Sequence, residues 1–428
     1  MREGWKIQSL KELCANYKDD IVDGPFGANL KREHYTTAGI PVLKIQNIKP
    51  FNIVLKNIDY VDEKKAMELK RHAYKKGDII ITKLGLPLGI SAIVDDSKED
   101  GIIVADLVRV RAEKIDTNYL CYHLNSPVTN AVLNAQQGGA TRPRVKISAV
   151  RELPINVPPL PEQKRIVAIL DEAFEGIAKA VANTEKNLAN ARELFEGYLN
   201  SVFSQWDDGW SKRSLGDKKL LEIIDGDRGK NYPKKDDFMD KGYCLFLNTK
   251  NVRPDGFNFD SLMFISKEKD KALRKGKLKR RDVVLTTRGT IGNVALYDER
   301  VEHNEIRINS GMLILRPSED QLTSEYLFEI IRSAIFKSQA ERFVSGAAQP
   351  QLPIKTLVNF TIPVPKSLKR QREIVTNLRD LQVETKHLES IYQQKLAALA
   401  ELKQSLLQKA FSGELTAKGN NKVKEVAA

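Results

Sequence analysis

Apolar residues recur every three or four positions along two unusually long stretches of the chain. In the first, apolar or small residues fall at Ile166, Leu170, Ala173, Ile177, Val181, Thr184, Leu188, Ala191, Phe195, Tyr198 and Val202. In the second they fall at Ile374, Leu378, Leu381, Thr385, Leu388, Tyr392, Leu396, Leu399, Leu402 and Leu406. Alternating steps of three and four make the seam of a coiled coil. Each run lasts about 44 residues, roughly 65 Å of helix at 1.5 Å per residue. An ordinary globular helix stops after about 10–14 residues. One globular domain could not cover such a rod, so the pattern predicts that the two helices pack on each other. Pro161 suits the start of the first, because the N–H it lacks would be unpaired there. Ser367 is a candidate N-cap for the second, and Gly413 suits the left-handed residue that ends it. Gly176 and Gly197 lie inside the first helix and cost about 1 kcal/mol each against Ala, which the seam must outweigh.

Ahead of each helix the period changes. Pro41–Ile45, Asp78–Thr82, Ser91–Val94 and Leu107–Val110 are short apolar runs bounded by Gly, Pro and Asp, and they predict strands. Tyr119–Gln136 has helical spacing interrupted by Pro127, and Leu153–Val157 predicts a closing strand. The expected class is mixed α/β.

The order then repeats. A shift of 208 positions carries Gln163 to Gln371, Val167 to Val375, Leu170 to Leu378, Leu188 to Leu396, Leu199 to Leu407 and Phe203-Ser204 to Phe411-Ser412. The globular pieces echo each other as well. Asp23-Gly24 matches Asp225-Gly226, Asp78–Gly85 matches Asp282–Gly289, Tyr119-Leu120 matches Tyr326-Leu327, and Gly139–Arg144 matches Gly346–Gln351. The skeleton recurs while polar positions change: Arg142 and Arg144 become Gln349 and Gln351, and Lys83-Leu84 becomes Thr287-Arg288. Two readers of different sequences on one scaffold would look like this. The expected domains are two similar globular pieces at 1–157 and 206–365, spacer helices at 158–205 and 366–413, and a flexible basic tail at 414–428. If the rods pair antiparallel, the molecule gains a pseudo-two-fold axis. Two sites about one turn apart, roughly 34 Å, are what a two-fold reader meets on one face of duplex DNA.

Charge agrees with a polyanionic partner. The chain of 428 residues carries 69 Lys and Arg against 56 Asp and Glu, a net charge of +13, with a pI near 9.3. Double-stranded DNA is expected before a membrane surface. Cys14, Cys121 and Cys244 are odd in number and lack metal spacing, so reduced core thiols are expected. No apolar run approaches the roughly 18 residues of a membrane span, and a cytoplasmic location is expected.

The candidate DNA contacts follow from residue type and loop position. In the first half they are Lys44, Gln46, Asn47, Lys83, Arg142, Arg144 and Lys146. In the second they are Asn248, Lys250, Asn251, Arg288, Gln349 and Gln351. Asn and Gln can pair bidentately with adenine, and Arg or Lys with guanine, in the major groove. Basic clusters before matching strands, Lys70-Arg71 with Lys75-Lys76 and Arg274 through Arg281, are candidate phosphate contacts. Catalytic signatures are absent from the sequence. His34, His72, His123, His303 and His387 show no metal spacing, and no G-x-x-x-x-G-K-[ST] occurs. The glycine loops Gly85–Gly89 and Gly289–Gly292 lead into strand-like runs, unlike a dinucleotide or methyl-donor cradle. Neither a catalytic residue nor a metal ligand is expected.

Three stretches together resemble the specificity (S) subunit of type I restriction–modification enzymes. They are Pro158–Val167, the D-[IV]-[IV]-x-T-x-x-G segments at Asp78 and Asp282, and the tail Leu402–Leu415. The resemblance covers essentially the whole chain. It implies two target-recognition domains that each read half of a bipartite DNA site, held apart by two long helices. It further implies partners: two modification subunits, which bind S-adenosylmethionine and methylate adenine, and two restriction subunits driven by ATP. The cofactors S-adenosylmethionine, ATP and Mg are thus expected on the partners, with none in this chain. Lys366-Ser367-Leu368-Lys369 departs from the Pro-Pro-Leu-Pro of the first half. The family's base contacts vary between members, so none carries over by motif. Two alternatives stay open at this stage: a DNA methyltransferase or nuclease active alone, and a structural coiled-coil protein.

Overall fold

The structure is a computed structural model that describes residues 4–139, 142–343 and 351–417. The chain forms two compact units, Met1–Glu185 with Gln394–Ala428, and Lys186–Gln393. The long helices run over Leu160–Ser204 and Leu368–Ser412, and each unit contains one globular piece with a stretch of both.

In the first unit, Ser91–Ile93, Ile79–Thr82, Leu107–Val110 and Ile21–Asp23 form an antiparallel sheet in that order. The second unit repeats it with Val294–Leu296, Val283–Thr286, Met312–Pro317 and Leu221–Asp225. A second sheet in each unit is built around one parallel pair, Ile40–Leu43 with Gly101–Ile103 and Cys244–Leu247 with Ile306–Ile308. The first strand and the last of each globule also pair, Lys6–Ser9 with Pro154–Val157 and Trp210–Ser214 with Thr361–Pro365. The duplication seen in the sequence is therefore a duplication of topology.

The motif that opens at Asp78 and Asp282 has a structural cause. Asp78 accepts from Arg111 Nε and Nη2 at 2.7 and 2.9 Å and from the backbone N–H of Lys75 at 2.8 Å. Asp282 accepts in the same way from Arg316 at 2.7 and 2.8 Å and from Lys279 N–H at 2.7 Å. A buried carboxylate must be paired, and a two-pronged arginine does this while clamping the central strand to its neighbour. Gly85 and Gly289, which close the motif, have φ of +93° and +72°, a left-handed turn that glycine adopts without a Cβ penalty.

Tyr119–Gln136 is two helices, Thr117–Leu124 and Pro127–Ala135. Pro127 sits in the first turn of the second helix behind the Ser126 N-cap. The proline ends one helix by opening another.

Within each unit the long helices run antiparallel. In the first, the Thr416 hydroxyl bonds the Glu162 carboxylate, and Lys403 Nζ lies 4.6 Å from the ring centre of Phe174. In the second, Arg192 pairs with Glu389 at 3.3 Å. Helix ends complete the globular cores. Phe411, at the end of the second helix, meets Tyr119 edge-on at 5.3 Å, while Phe203, at the end of the first, meets Tyr326 at 5.4 Å. The opening turns fill the other side of each core, with Ile166 and Leu170 in the first unit and Ile374, Val375 and Leu378 in the second. Gln163 and Gln371 are buried at the helix starts. Gln163 accepts from Asp116 N–H and donates to Pro158 O, both at 2.8 Å. Gln371 accepts from Thr323 N–H at 2.9 Å and donates to Pro365 O at 3.0 Å.

The stretch expected to form a loose tail is packed where it begins. Leu415 is buried in the core of the first unit, where its N–H, past the left-handed turn at Gly413, donates back to Lys409 O at 3.0 Å. Residues 418–428 lie outside the described ones. Cys14, Cys121 and Cys244 are buried free thiols, and burial pushes each up to about 12. They stay protonated and act as core residues.

Candidate nucleic-acid interface

Backbone pairing brings two candidate loops together in each unit. In the first, Leu84 bridges Arg144, Gly85 N–H donates to Pro143 O at 2.9 Å, and Val145 N–H donates to Lys83 O at 3.0 Å. In the second, Arg288 bridges Gln351, and Leu352 N–H donates to Thr287 O at 2.9 Å. Arg142, Arg144 and Lys146 are exposed in the first unit, as are Arg288 and Gln351 in the second. The same backbone frame thus presents cations in one unit and a cation with an amide in the other. Gln349 lies outside the described residues.

Three candidates are corrected by their surroundings. Asn47 is fully buried: Oδ1 accepts from Lys44 N–H at 2.9 Å, and Nδ2 donates to Val54 O at 2.8 Å. Asn251 repeats the arrangement with Asn248 N–H at 3.0 Å, Asn258 O at 3.1 Å and Ser261 O at 2.8 Å. Each staples the base of a small hairpin, because buried backbone groups need partners, and no amide remains to read a base. Lys83, expected as an exposed contact, is only 8% exposed. Its ammonium pairs with Asp23 at 2.6 Å. It ties its loop to the Ile21–Asp23 strand instead of reaching outward.

The other turn candidates are partly engaged. Lys44 is paired with Asp59 and lies 4.3 Å from the ring centre of Tyr35. Gln46 is exposed and donates to Asn57 O at 3.2 Å. Asn248 accepts from Lys250 N–H at 2.8 Å, leaving the Lys250 side chain exposed. This turn ends a strand of the other sheet, and in the second unit Thr249 of the turn and Arg288 of the bridged loop both stand beside Gly311.

Part of each basic cluster is consumed internally. Arg281 makes a two-pronged pair with Glu325, 2.6 Å on each side, and Lys277 pairs with Asp270 and Glu305. Arg280 donates to Val301 O at 2.9 Å and Asn304 Oδ1 at 2.8 Å. Lys70, Lys75, Arg274, Lys275 and Lys279 remain exposed. Charge count alone could not separate the two groups, because the acidic partners range from Asp270, seven residues from Lys277, to Glu325, 44 residues from Arg281. Among the described residues no cluster of His, Cys, Asp or Glu could hold a metal ion, and no helix is long and apolar enough to cross a membrane.

The family model described as the type I restriction modification DNA specificity domain matches this chain twice, over residues 2–187 and 207–397. The chain belongs to this family. As a specificity subunit it is similar to that of type I restriction enzyme EcoBI from Escherichia coli, 24% identical over 72% of this chain and 68% of the relative. The MjaVIII specificity subunit of Methanocaldococcus jannaschii is 23% identical over 75% of this chain and 76% of that one. Its fold matches the HsdS subunit from Thermoanaerobacter tengcongensis with a TM-score of 0.61 at 21% identity, covering 97% and 98% of the two chains. A chain from a structure solved for complex assembly and conformational transition of the type I R-M system matches with a TM-score of 0.74 at 21% identity, covering 97% and 99%.

Proposed function

We propose that this specificity subunit is a non-catalytic DNA reader. Each globular piece reads one half of a bipartite duplex target, and the two long helices set the spacing and dock the methyltransferase subunits. One observation carries the reading: a single backbone frame, bridged alike in both units, exposes Arg144 in one and Arg288 with Gln351 in the other. A fixed frame with changed polar tips is what separate base readout requires. The net charge of +13 supports a DNA backbone partner. Leu194, Val383 and Ile391 leave apolar surface exposed on the long helices, at 55%, 66% and 42%, which docked subunits would cover. S-adenosylmethionine, ATP and Mg belong on two modification and two restriction subunits, and the complex works in the cytoplasm on double-stranded DNA. Arg142, Arg144 and Lys146, and Arg288, Gln349 and Gln351, are the proposed contacts.

Methylation mapping of host DNA with and without this chain tests the reading. The expected result is a bipartite methylated motif that appears only with the chain. Arg142→Ala should then alter the first half-site alone and Gln349→Ala the second alone. Methyl transfer by the purified chain without partners, or changes in both half-sites from either substitution, would overturn it.

A further inference from the structure

A loop that the sequence candidates do not include is locked in the same way in both units. Strand Ile21–Asp23 runs into Gly24, where a Cβ would stand 2.1 Å from the carbonyl carbon of Val104 and 2.2 Å from its oxygen. Strand Leu221–Asp225 runs into Gly226, where a Cβ would stand 2.2 Å from Asn309 O and 2.6 Å from its carbon. Both obstacles are backbone, so nothing can move aside. Only glycine lets the loop lie this close to its neighbour, and the contact fixes where the chain leaves the sheet. Two residues further on, the side chain is large and exposed in both units, but its chemistry differs.

In the first unit this residue is Phe26, 59% exposed. Its ring is not adrift. Lys83 Nζ lies 4.6 Å from the ring centre, and Lys83 is itself held by Asp23 at 2.6 Å. With Leu84, the ring forms the apolar wall of a cleft of about 470 Å³, lined also by Asp106, Arg144 and Lys146. An apolar wall beside cations suits a base edge that carries a methyl group on a polyanion. In the second unit the residue is Arg228, its side chain 50% exposed. Nη2 donates to Asp225 Oδ1 and to Ser310 O, both at 3.3 Å, which leaves the rest of the fork facing a cleft shared with Arg274 and Lys275. Burial alone would raise the Asp227 carboxyl. The backbone N–H groups of Gly229, Arg274 and Lys275 outweigh this and hold it below the usual carboxylate range, so the loop around Arg228 is pinned.

We propose that the position two residues beyond the locked glycine reads one base pair in each half-site. Phe26 packs on the 5-methyl group of a thymine in the first, and Arg228 takes O6 and N7 of a guanine in the second. Apolar side chains read thymine by its methyl, and a guanidinium reads guanine through two parallel hydrogen bonds. The inference rests on the bipartite reading above and adds to it the specificity-determining residues.

The test uses the full chain with its modification subunits on duplexes carrying the mapped motif, the first half-site being the one that Arg142→Ala alters. Thymine is replaced by uracil, which removes only the methyl, and guanine by 7-deazaguanine, which removes only N7. One uracil in the first half-site should weaken wild-type binding by about fivefold, and one deazaguanine in the second by about tenfold. Phe26→Ala should be blind to that uracil and Arg228→Ala to that deazaguanine, each leaving the opposite half-site unchanged. Both side chains are exposed, so the thermal midpoint should not move. Discrimination retained at every thymine by Phe26→Ala, or uniform weakening at both half-sites, would overturn the inference. So would a mapped motif with no specified T·A pair in the first half or no G·C pair in the second. If the chain directs no bipartite methylation at all, the functional reading fails instead.

Discussion

The side chains that discriminate and those that build are of the same types here, and their surroundings separate them. Asn47 and Asn251 occupy the same place in both units and make the same bonds to the backbone. The repeat itself held the signal, since a residue identical in two unlike readers cannot account for their difference. Asn47→Ala strands the Lys44 N–H and the Val54 carbonyl. It should cost about 1–3 kcal/mol, seen as a lower thermal midpoint, with base preference unchanged. Phe26 escaped notice for the opposite reason, because phenylalanine in a sequence reads as core. His123 is buried, accepts from Asn156 N–H at 3.1 Å through Nε2, and pairs through Nδ1 with Thr129 Oγ1 at 3.0 Å. Burial lowers it to about 3, against 6.5 when free. The unfolded chain therefore takes up the proton first. The contribution is whole above about pH 6.5 and drains away as pH falls toward 3. Melts at pH 7 and pH 5 should show the first unit losing stability, less so in His123→Gln, while Ile330 at the equivalent place gives the second unit no such loss.

At the level of elements, periodicity revealed the long helices almost to the residue, because a seam sustained over many turns has no other explanation. The strands Ile79–Thr82, Ser91–Ile93 and Leu107–Val110 were legible as apolar runs. Two-residue strands such as Tyr35–Thr36 were not, since they carry too few positions to show a period. Nor did the seam reveal what each helix end does. Phe203 and Phe411 stood out only as a pair matched by the repeat, off the seam, and they lie in the globular cores against Tyr326 and Tyr119. Phe411→Ala should cost about 3–5 kcal/mol in the first unit. Phe203→Ala should do the same in the second. Hydrogen exchange resolved by unit would check this, and a loss spread evenly over both would contradict it.

For the molecule as a whole, the net charge was legible but its deployment was not. Arg281, Lys277 and Arg280 answer to internal partners, whereas Arg142, Arg144, Lys146, Arg274 and Lys275 stay exposed. Binding to DNA should therefore weaken linearly on a log–log plot against salt, and Lys275→Ala should reduce that slope by about 1 without changing base preference. Titrations at several salt concentrations measure it, and a slope that stays put would exclude Lys275 from the phosphate contacts. The burial of Leu407, Ala410, Phe411 and Leu415 among residues from the chain's beginning also has a consequence for biogenesis. The first unit to leave the ribosome cannot close its interior until the codon for Leu415 has been translated, after the whole of the second unit. A product truncated just before Leu407 would be released with its older half unfinished and its younger half complete.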